Sequence, residues 1–320
     1  MKTEALPIIF YQDGYQEFLE YALAQARHSN PASKMYVICD DSVIKRLIYR
    51  RSINIIPINN YAPLIEEFEK HYQHFSANPI KYELVCFVRW IAIYELMREN
   101  NINSAFICDS DCLVYSNISE LFPLYNAEYA SLIIVNDQEP FVWVASGGES
   151  YWNIKGLKLF VEYLFDAYKN GIRLLLNDKI KYHQTQNVAG GVCDMTLLYK
   201  FYIQNRSKFS NILTVTDGGT FDMAIGTSDN EFRNEYQFDG NKKIINYTEK
   251  IPFGYNIILD KQIRFHLLHF QGASKPLMKE FYEQVKILNF QIWCRATLSK
   301  SIKTLLYFKN KITHKHSENV

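Results

Sequence analysis

Short apolar runs alternate with helical patterns through the first third of the chain, and this alternation constrains the fold more than any other feature. Residues 7–11, 35–39, 53–58 and 105–108 are strand-sized and apolar. Residues 16–26 and 64–72 carry helix formers between them, and residues 84–97 are apolar nearly all round, as a buried helix is. Asp13-Gly14, Asp40-Asp41 and the Asn-rich stretch 100–103 punctuate the runs. Strands separated by helices predict an α/β domain with a mostly parallel, Rossmann-like sheet.

Beyond residue 108 the pattern is mixed. Residues 130–135 read as another strand, 157–168 and 195–203 as amphipathic helices, and 212–269 as short strands. Asp239-Gly240 between residues 236–238 and 242–247 is a hairpin signal. Ser146-Gly147-Gly148-Glu149-Ser150-Tyr151-Trp152 reads as a flexible loop ending in two aromatic faces. No repeat or low-complexity linker divides the chain, so residues 1–290 are expected to form one domain with an α+β second half. The tail, 291–320, sets Lys300, Lys303, Lys309, Lys311 and Lys315 among Leu298, Ile302, Leu305, Leu306 and Ile312. Such a segment can lie on an anionic membrane face, or stand as a solvated terminus.

Composition removes several classes of function. With 35 Lys plus Arg against 34 Asp plus Glu, the net charge of +1 gives no footprint for nucleic acid. No run approaches the roughly 18 apolar residues of a membrane span. The N-terminal apolar stretch is too short for a secretory signal and is broken by Pro7. A cytoplasmic setting follows as the expectation, with the six cysteines reduced. Cys108 and Cys112 have no second pair to complete a zinc site.

Two segments could carry chemistry. Asp109-Ser110-Asp111 follows the strand at 105–108. Residues two apart on an extended chain share a side, so both carboxylates could reach one hard divalent cation. In open α/β sheets ligands bind outside the carboxyl ends of strands. The second segment is His269-Phe270-Gln271-Gly272-Ala273-Ser274-Lys275. It joins an imidazole, a glycine that admits close approach to an anion, and a compact positive charge for a phosphate. Arg89 lies inside the apolar helix, where a charge needs either a distant ionic partner or an anionic ligand. Asp194, after Gly190-Gly191, reads first as an ordinary helix N-cap and also as a base or sugar-holding acid, and the two are compatible.

Together the Asp-x-Asp and the later His-x-x-Gly-x-x-Lys resemble the GT-A glycosyltransferases, especially those related to glycogenin and to bacterial lipopolysaccharide galactosyl- and glucosyltransferases. The resemblance implies a GT-A fold, with residues 1–130 as the nucleotide-sugar half and 131–290 as the acceptor half. It implies that Asp109, Asp111 and His269 bind Mn²⁺ or Mg²⁺, the imidazole favouring Mn²⁺. It further implies that Gly272, Lys275 and Arg89 meet the donor diphosphate. Tyr11 would stack on a base, and Asp40 would accept from uracil or ribose. The donor would be a nucleotide-diphosphate sugar, most simply UDP-linked, and the acceptor a glycan or glycolipid, with the basic tail as a peripheral membrane contact. Two other classes stay open. One is a haloacid-dehalogenase-like phosphatase with Asp109 as nucleophile and Asp217–Asp222 as a loose later motif. The other is a non-catalytic sugar-nucleotide-binding relative.

Overall fold

The computed structural model describes residues 5–48, 52–136, 138, 141–187 and 190–282. The basic tail therefore lies outside the described residues. A seven-stranded sheet forms the centre. Its strands are β1 (Ile8–Gln12), β2 (Met35–Cys39), β3 (Ile53–Pro57), β4 (Ser104–Cys108), β6 (Ala130–Ile134), β7 (Ala145–Asn153) and β8 (Phe209–Asn211); the three-residue β5 (Cys112–Val114) stands outside it. The order is β3-β2-β1-β4-β7-β6-β8. The first four strands are mutually parallel, as is β6 with β8; β7 alone runs against both neighbours. This is the mixed α/β, mostly parallel architecture that the alternation predicts.

The near-continuous apolar runs have a direct cause, for the sheet is covered on both faces. Ile8 and Phe10 pack into one core and Ile9 into the other, following the two-residue period of a strand. The long helix Ile80–Glu99 lies over the second core and buries Phe87, Trp90, Ile91 and Met97. It starts after Pro79, four residues ahead of the expected run, and its first turn leaves Ile80 and Tyr82 exposed. A second small sheet uses Ile245–Thr248, Ile251–Asn256, Lys261–Phe265 and Gly219–Thr220. The hairpin around Asp239-Gly240 forms from Phe238–Asp239 and Lys242–Lys243.

One expectation is overturned. Residues 146–152 are not a flexible loop but most of β7, flanked by strands on both sides. Tyr151 and Trp152 are buried in the two cores, so neither presents a face to a ligand. The glycine pair is there for close packing. A Cβ on Gly147 would lie 2.4 Å from the Trp90 ring, and one on Gly148 would lie 2.5 Å from Asp109 Oδ2. The helix Ile172–Gln186 has no counterpart in the sequence reading. Among the described residues no helix is long and apolar enough to cross a membrane.

Candidate functional site

The site is built where β4 ends. Asp109, Ser110 and Asp111 form a tight turn into β5, closed by the Cys112 N–H donating to the Asp109 carbonyl at 3.3 Å. The Asp109 N–H donates to the Gly148 carbonyl at 2.6 Å, and the Ser110 hydroxyl donates to Gln12 Oε1 at the end of β1. The turn replaces the extended chain expected here; the two aspartates take different partners while both line one cleft. Asp109 faces the long helix, and Asp111 faces the returning C-terminal segment.

That return is a strand. Leu267–His269 pairs antiparallel with β5, putting His269 opposite Cys112, and the Phe270 N–H continues the ladder to the Asp111 carbonyl at 2.8 Å. His269 Nε2 consequently lies 3.5 Å from Asp111 Oδ1. Three residues past Gly272, Lys275 Nζ approaches Asp111 Oδ2 at 3.2 Å. Gly272 adopts φ +59°, a left-handed conformation that a side chain would strain, and this bends the chain back. Asp111, Cys112 and His269 each offer a ligand atom within 4.8 Å of the others.

Asp109 belongs to a second group. Arg89 reaches it with Nη1 at 2.8 Å and reaches Asp194 with Nη2 at 2.9 Å. The Trp90 indole N–H also donates to Asp194 Oδ2 at 3.0 Å. Arg89 thus takes the internal ion pair that its burial allows, with two acids distant in sequence. Burial opposes its charge, but Asp109 and Asp194 outweigh that and raise its pKa. Asp194 opens the helix Asp194–Gln204 one residue inside the cap, which is Cys193, so its carboxylate serves Arg89 and Trp90 rather than capping. Asp40 is itself the cap of the helix Asp41–Arg46, accepting from the Val43 N–H at 3.1 Å. Tyr11 lines a cleft of about 470 Å³ together with Tyr82, Arg89, Asp109, Asp111 and Lys275; Asp40 is not part of that lining.

Two buried residues to which the sequence reading gave no role beside His269 complete the arrangement. Glu149 on β7 is fully buried, 3.1 Å from His269 Nδ1, and neither carboxylate oxygen has a well-aligned hydrogen-bond donor among the described residues. The His269 Nδ1–H instead donates to the Met223 carbonyl at 2.8 Å, which leaves Nε2 toward Asp111. Asp222 accepts from the His269 backbone N–H at 3.1 Å and pairs with fully buried Lys243 at 2.7 Å. No local pattern could have assigned these roles, because the partners lie on other elements.

The electrostatics follow from the geometry. Burial would raise the Asp111 carboxyl, but His269 and Lys275 outweigh it and hold it down at about 2. Burial pushes Glu149 up to about 7, against the pull of His269. Burial would strip His269 of its proton, yet Glu149 and Asp111 raise its pKa well above the ordinary value. Among the described residues, the permanent cations ion-paired with Asp109, Asp111, Glu149 and Asp194 are Arg89 and Lys275. The field that holds a proton on His269 suits a divalent cation, which would displace that proton on binding. Burial raises the Cys112 thiol well above its ordinary value, so carboxylate and imidazole are the fitting donors.

No family model and no curated protein matches the chain. Similarity appears among solved structures. Mouse xyloside xylosyltransferase 1 is 12% identical with a TM-score of 0.45, over 65% of this chain and 84% of that one. An active-site mutant of LgtC is 14% identical with a TM-score of 0.49, over 90% of this chain and 96% of that one. The glycosyltransferase GlyE of Streptococcus pneumoniae TIGR4 is 16% identical with a TM-score of 0.36, over 65% of this chain and 45% of that one. This chain thus spans under half the length of GlyE.

Proposed function

We propose that this chain is a metal-dependent glycosyltransferase that takes its sugar from a nucleotide-diphosphate donor, UDP-linked in the simplest form, and passes it to a glycan or glycolipid. The observation that carries this reading is the β5 pairing that sets His269 and Lys275 against Asp111 at the edge of the cleft. A carboxylate, an imidazole and an ammonium there face the same small volume from two distant parts of the sequence.

The chemistry needs this combination. Breaking an anomeric C–O bond leaves a nucleoside diphosphate on which negative charge accumulates. Asp111 and His269 would hold a divalent cation, Mn²⁺ by the imidazole's preference, that stabilises this leaving group as a Lewis acid. Lys275, 38% exposed on its side chain, is free to turn from Asp111 to a diphosphate oxygen. Tyr11 and Tyr82 flank the cleft where a base or sugar would lie. Arg89 holds Asp109 and Asp194 in fixed orientations, so Asp194 is poised as a positioned acid beside the donor sugar. A phosphatase with Asp109 as nucleophile is less well supported. Its later acidic motif would need Asp222, which is buried against Lys243 and His269.

Calorimetric titration of UDP in the presence and absence of Mn²⁺ tests the proposal. Native chain should bind UDP only with the metal, and Asp111→Asn should remove that dependence with the fold retained. Equal UDP affinity with and without Mn²⁺ in the native chain, or an unchanged Asp111→Asn variant, would overturn it. Phosphate trapped covalently on Asp109 would favour the phosphatase.

A further inference from the structure

A second cavity of about 450 Å³ adjoins the cleft. The two share Tyr82 and Cys86, and Asp194 lines the second cavity while bonded to Arg89 of the first. Aromatic faces form part of its wall: Tyr82 is 59% exposed, and Phe141 and Tyr182 are stacked with centroids 4.9 Å apart. Glu83 is also part of the lining, 1% exposed. Its Oε1 accepts from the Ser76 hydroxyl at 2.8 Å and the Asn78 amide at 2.6 Å, while Oε2 has no hydrogen-bond partner among the described residues. Lys179, the lysine of the lining, is committed to the carbonyls of Phe141 and Val142. His183 is the other basic side chain facing the cavity.

We propose that this cavity is the acceptor subsite and that it takes a neutral, hydroxyl-bearing saccharide, with Glu83 excluding acidic sugars. The assignment of the occupant as an acceptor rests on the glycosyltransferase reading; the saccharide chemistry rests on the cavity itself. Flat apolar ring faces suit the C–H surfaces of a pyranose, and Ser76 and Asn78, which hold Glu83, are polar members of the same lining. The size is in the range of small-molecule sites. The charges decide the class. Glu83 is a nearly fully buried acid held by neutral donors, with no ion pair among the described residues, whereas Asp194 is balanced by Arg89; a sugar carboxylate would therefore meet the Glu83 charge in a medium of low dielectric. A neutral ring meets no such repulsion. Glu83 acts here as a specificity-determining residue through its charge.

Saturation-transfer NMR on the full chain tests this, with methyl glucoside and methyl glucuronide as probes and Mn²⁺–UDP titration alongside. The native chain should bind the glucoside at least about tenfold more tightly than the glucuronide, a modest like-charge penalty. Glu83→Gln keeps acceptor capacity for Ser76 and Asn78, and should bring that ratio toward one without changing Mn²⁺–UDP affinity. Tyr182→Ala should weaken both glycosides alike. Equal binding of the two probes to the native chain, or an unchanged ratio in Glu83→Gln, would overturn the proposal. A chain that binds Mn²⁺–UDP but neither glycoside also overturns it while leaving the donor reading intact. Glu83-dependent glucoside binding in a chain that ignores UDP would keep the saccharide site and remove the glycosyltransferase reading.

Discussion

His269 and Asp111 face each other across a two-strand antiparallel ladder, with imidazole Nε2 3.5 Å from carboxylate Oδ1. The ladder register sets this distance, since His269 is opposite Cys112 and its neighbour Phe270 bonds to the Asp111 carbonyl. A slip of one residue would turn His269 to the other face of the strand. The site is therefore only as well defined as the packing that holds Leu267–His269 in place, and the buried groups around that strand become the natural points to test.

Glu149 should make the metal-free chain less stable as pH rises. Its folded pKa of about 7 lies above the ordinary 4.5, so between these values the folded chain keeps a proton that the unfolded chain has lost. Stability then falls with rising pH, by at most about 3 kcal/mol across that window. His269 acts in the same direction, its contribution complete below its ordinary 6.5 and lost as pH rises through its raised folded value. Asp111 acts in the other direction, losing its contribution as pH falls from 3.8 toward about 2. Thermal unfolding in chelator should show a midpoint that declines from pH 5 to pH 8. Glu149→Gln should flatten the part between pH 4.5 and 7 and stand above the native chain at pH 8. Parallel curves for the two proteins would show that Glu149 does not titrate in this way.

The adjacent glycines of β7 should respond differently to the same change. An added Cβ at Gly148 meets Asp109 Oδ2 at 2.5 Å, the end of a short side chain that can move aside. Gly148→Ala should thus displace the Asp109 carboxylate from Arg89, impairing Mn²⁺–UDP binding with modest loss of stability. At Gly147 the added Cβ meets the fully buried Trp90 ring at 2.4 Å. Overpacking of this kind costs about 1–3 kcal/mol. Urea unfolding of Gly147→Ala should show that loss and Gly148→Ala a smaller one; the reverse order would contradict the packing described.

The same strand shows where sequence reasoning stops. The parallel strands were legible because burial on both faces makes each a continuous apolar run, as in Met35–Cys39. The two motif segments were legible because their residue types are unusual together. β7 was not, because Gly-Gly signals a turn locally while here it admits Trp90 and Asp109 from other elements. The different partners of Asp109 and Asp111 depend on the Cys112–Asp109 turn bond and on Arg89, neither of which the Asp-x-Asp spacing encodes. Glu149 and Asp222 acquire their roles only through pairing with His269 and Lys243, far along the chain.

The Asp222–Lys243 pair should behave as a buried strut. Both side chains are fully buried, Lys243 also donates to the Ala224 carbonyl at 2.6 Å, and Asp222 holds the His269 backbone. Lys243→Met leaves an uncompensated buried carboxylate, which typically costs about 3–5 kcal/mol. Asp222→Asn combined with Lys243→Met removes both charges and should recover much of that loss while still offering an acceptor to His269. Denaturant titration of the native chain, the single and the double variant measures this. A double variant no more stable than Lys243→Met alone would show that charge is not the reason for the loss.

Lys275 should separate catalysis from metal binding. In the structure its ammonium lies 3.2 Å from Asp111 Oδ2, so it competes with any cation for that carboxylate. Lys275→Ala removes the competitor, and free Mn²⁺ should bind the variant at least as tightly as the native chain. Under the proposed glycosyltransferase function, transfer should suffer in the opposite sense. Charge on the leaving diphosphate grows as the glycosidic bond breaks, so a lysine turned to it acts mainly in the transition state. Loss of one such donor typically costs on the order of 10²–10³ in rate. His269→Ala should give the contrasting pattern, weakening metal-dependent UDP binding first. Calorimetry with Mn²⁺ and single-turnover transfer assays on both variants provide the comparison. A Lys275→Ala variant that transfers at the native rate, or one that loses Mn²⁺ affinity as His269→Ala does, would place Lys275 outside the role of leaving-group stabiliser.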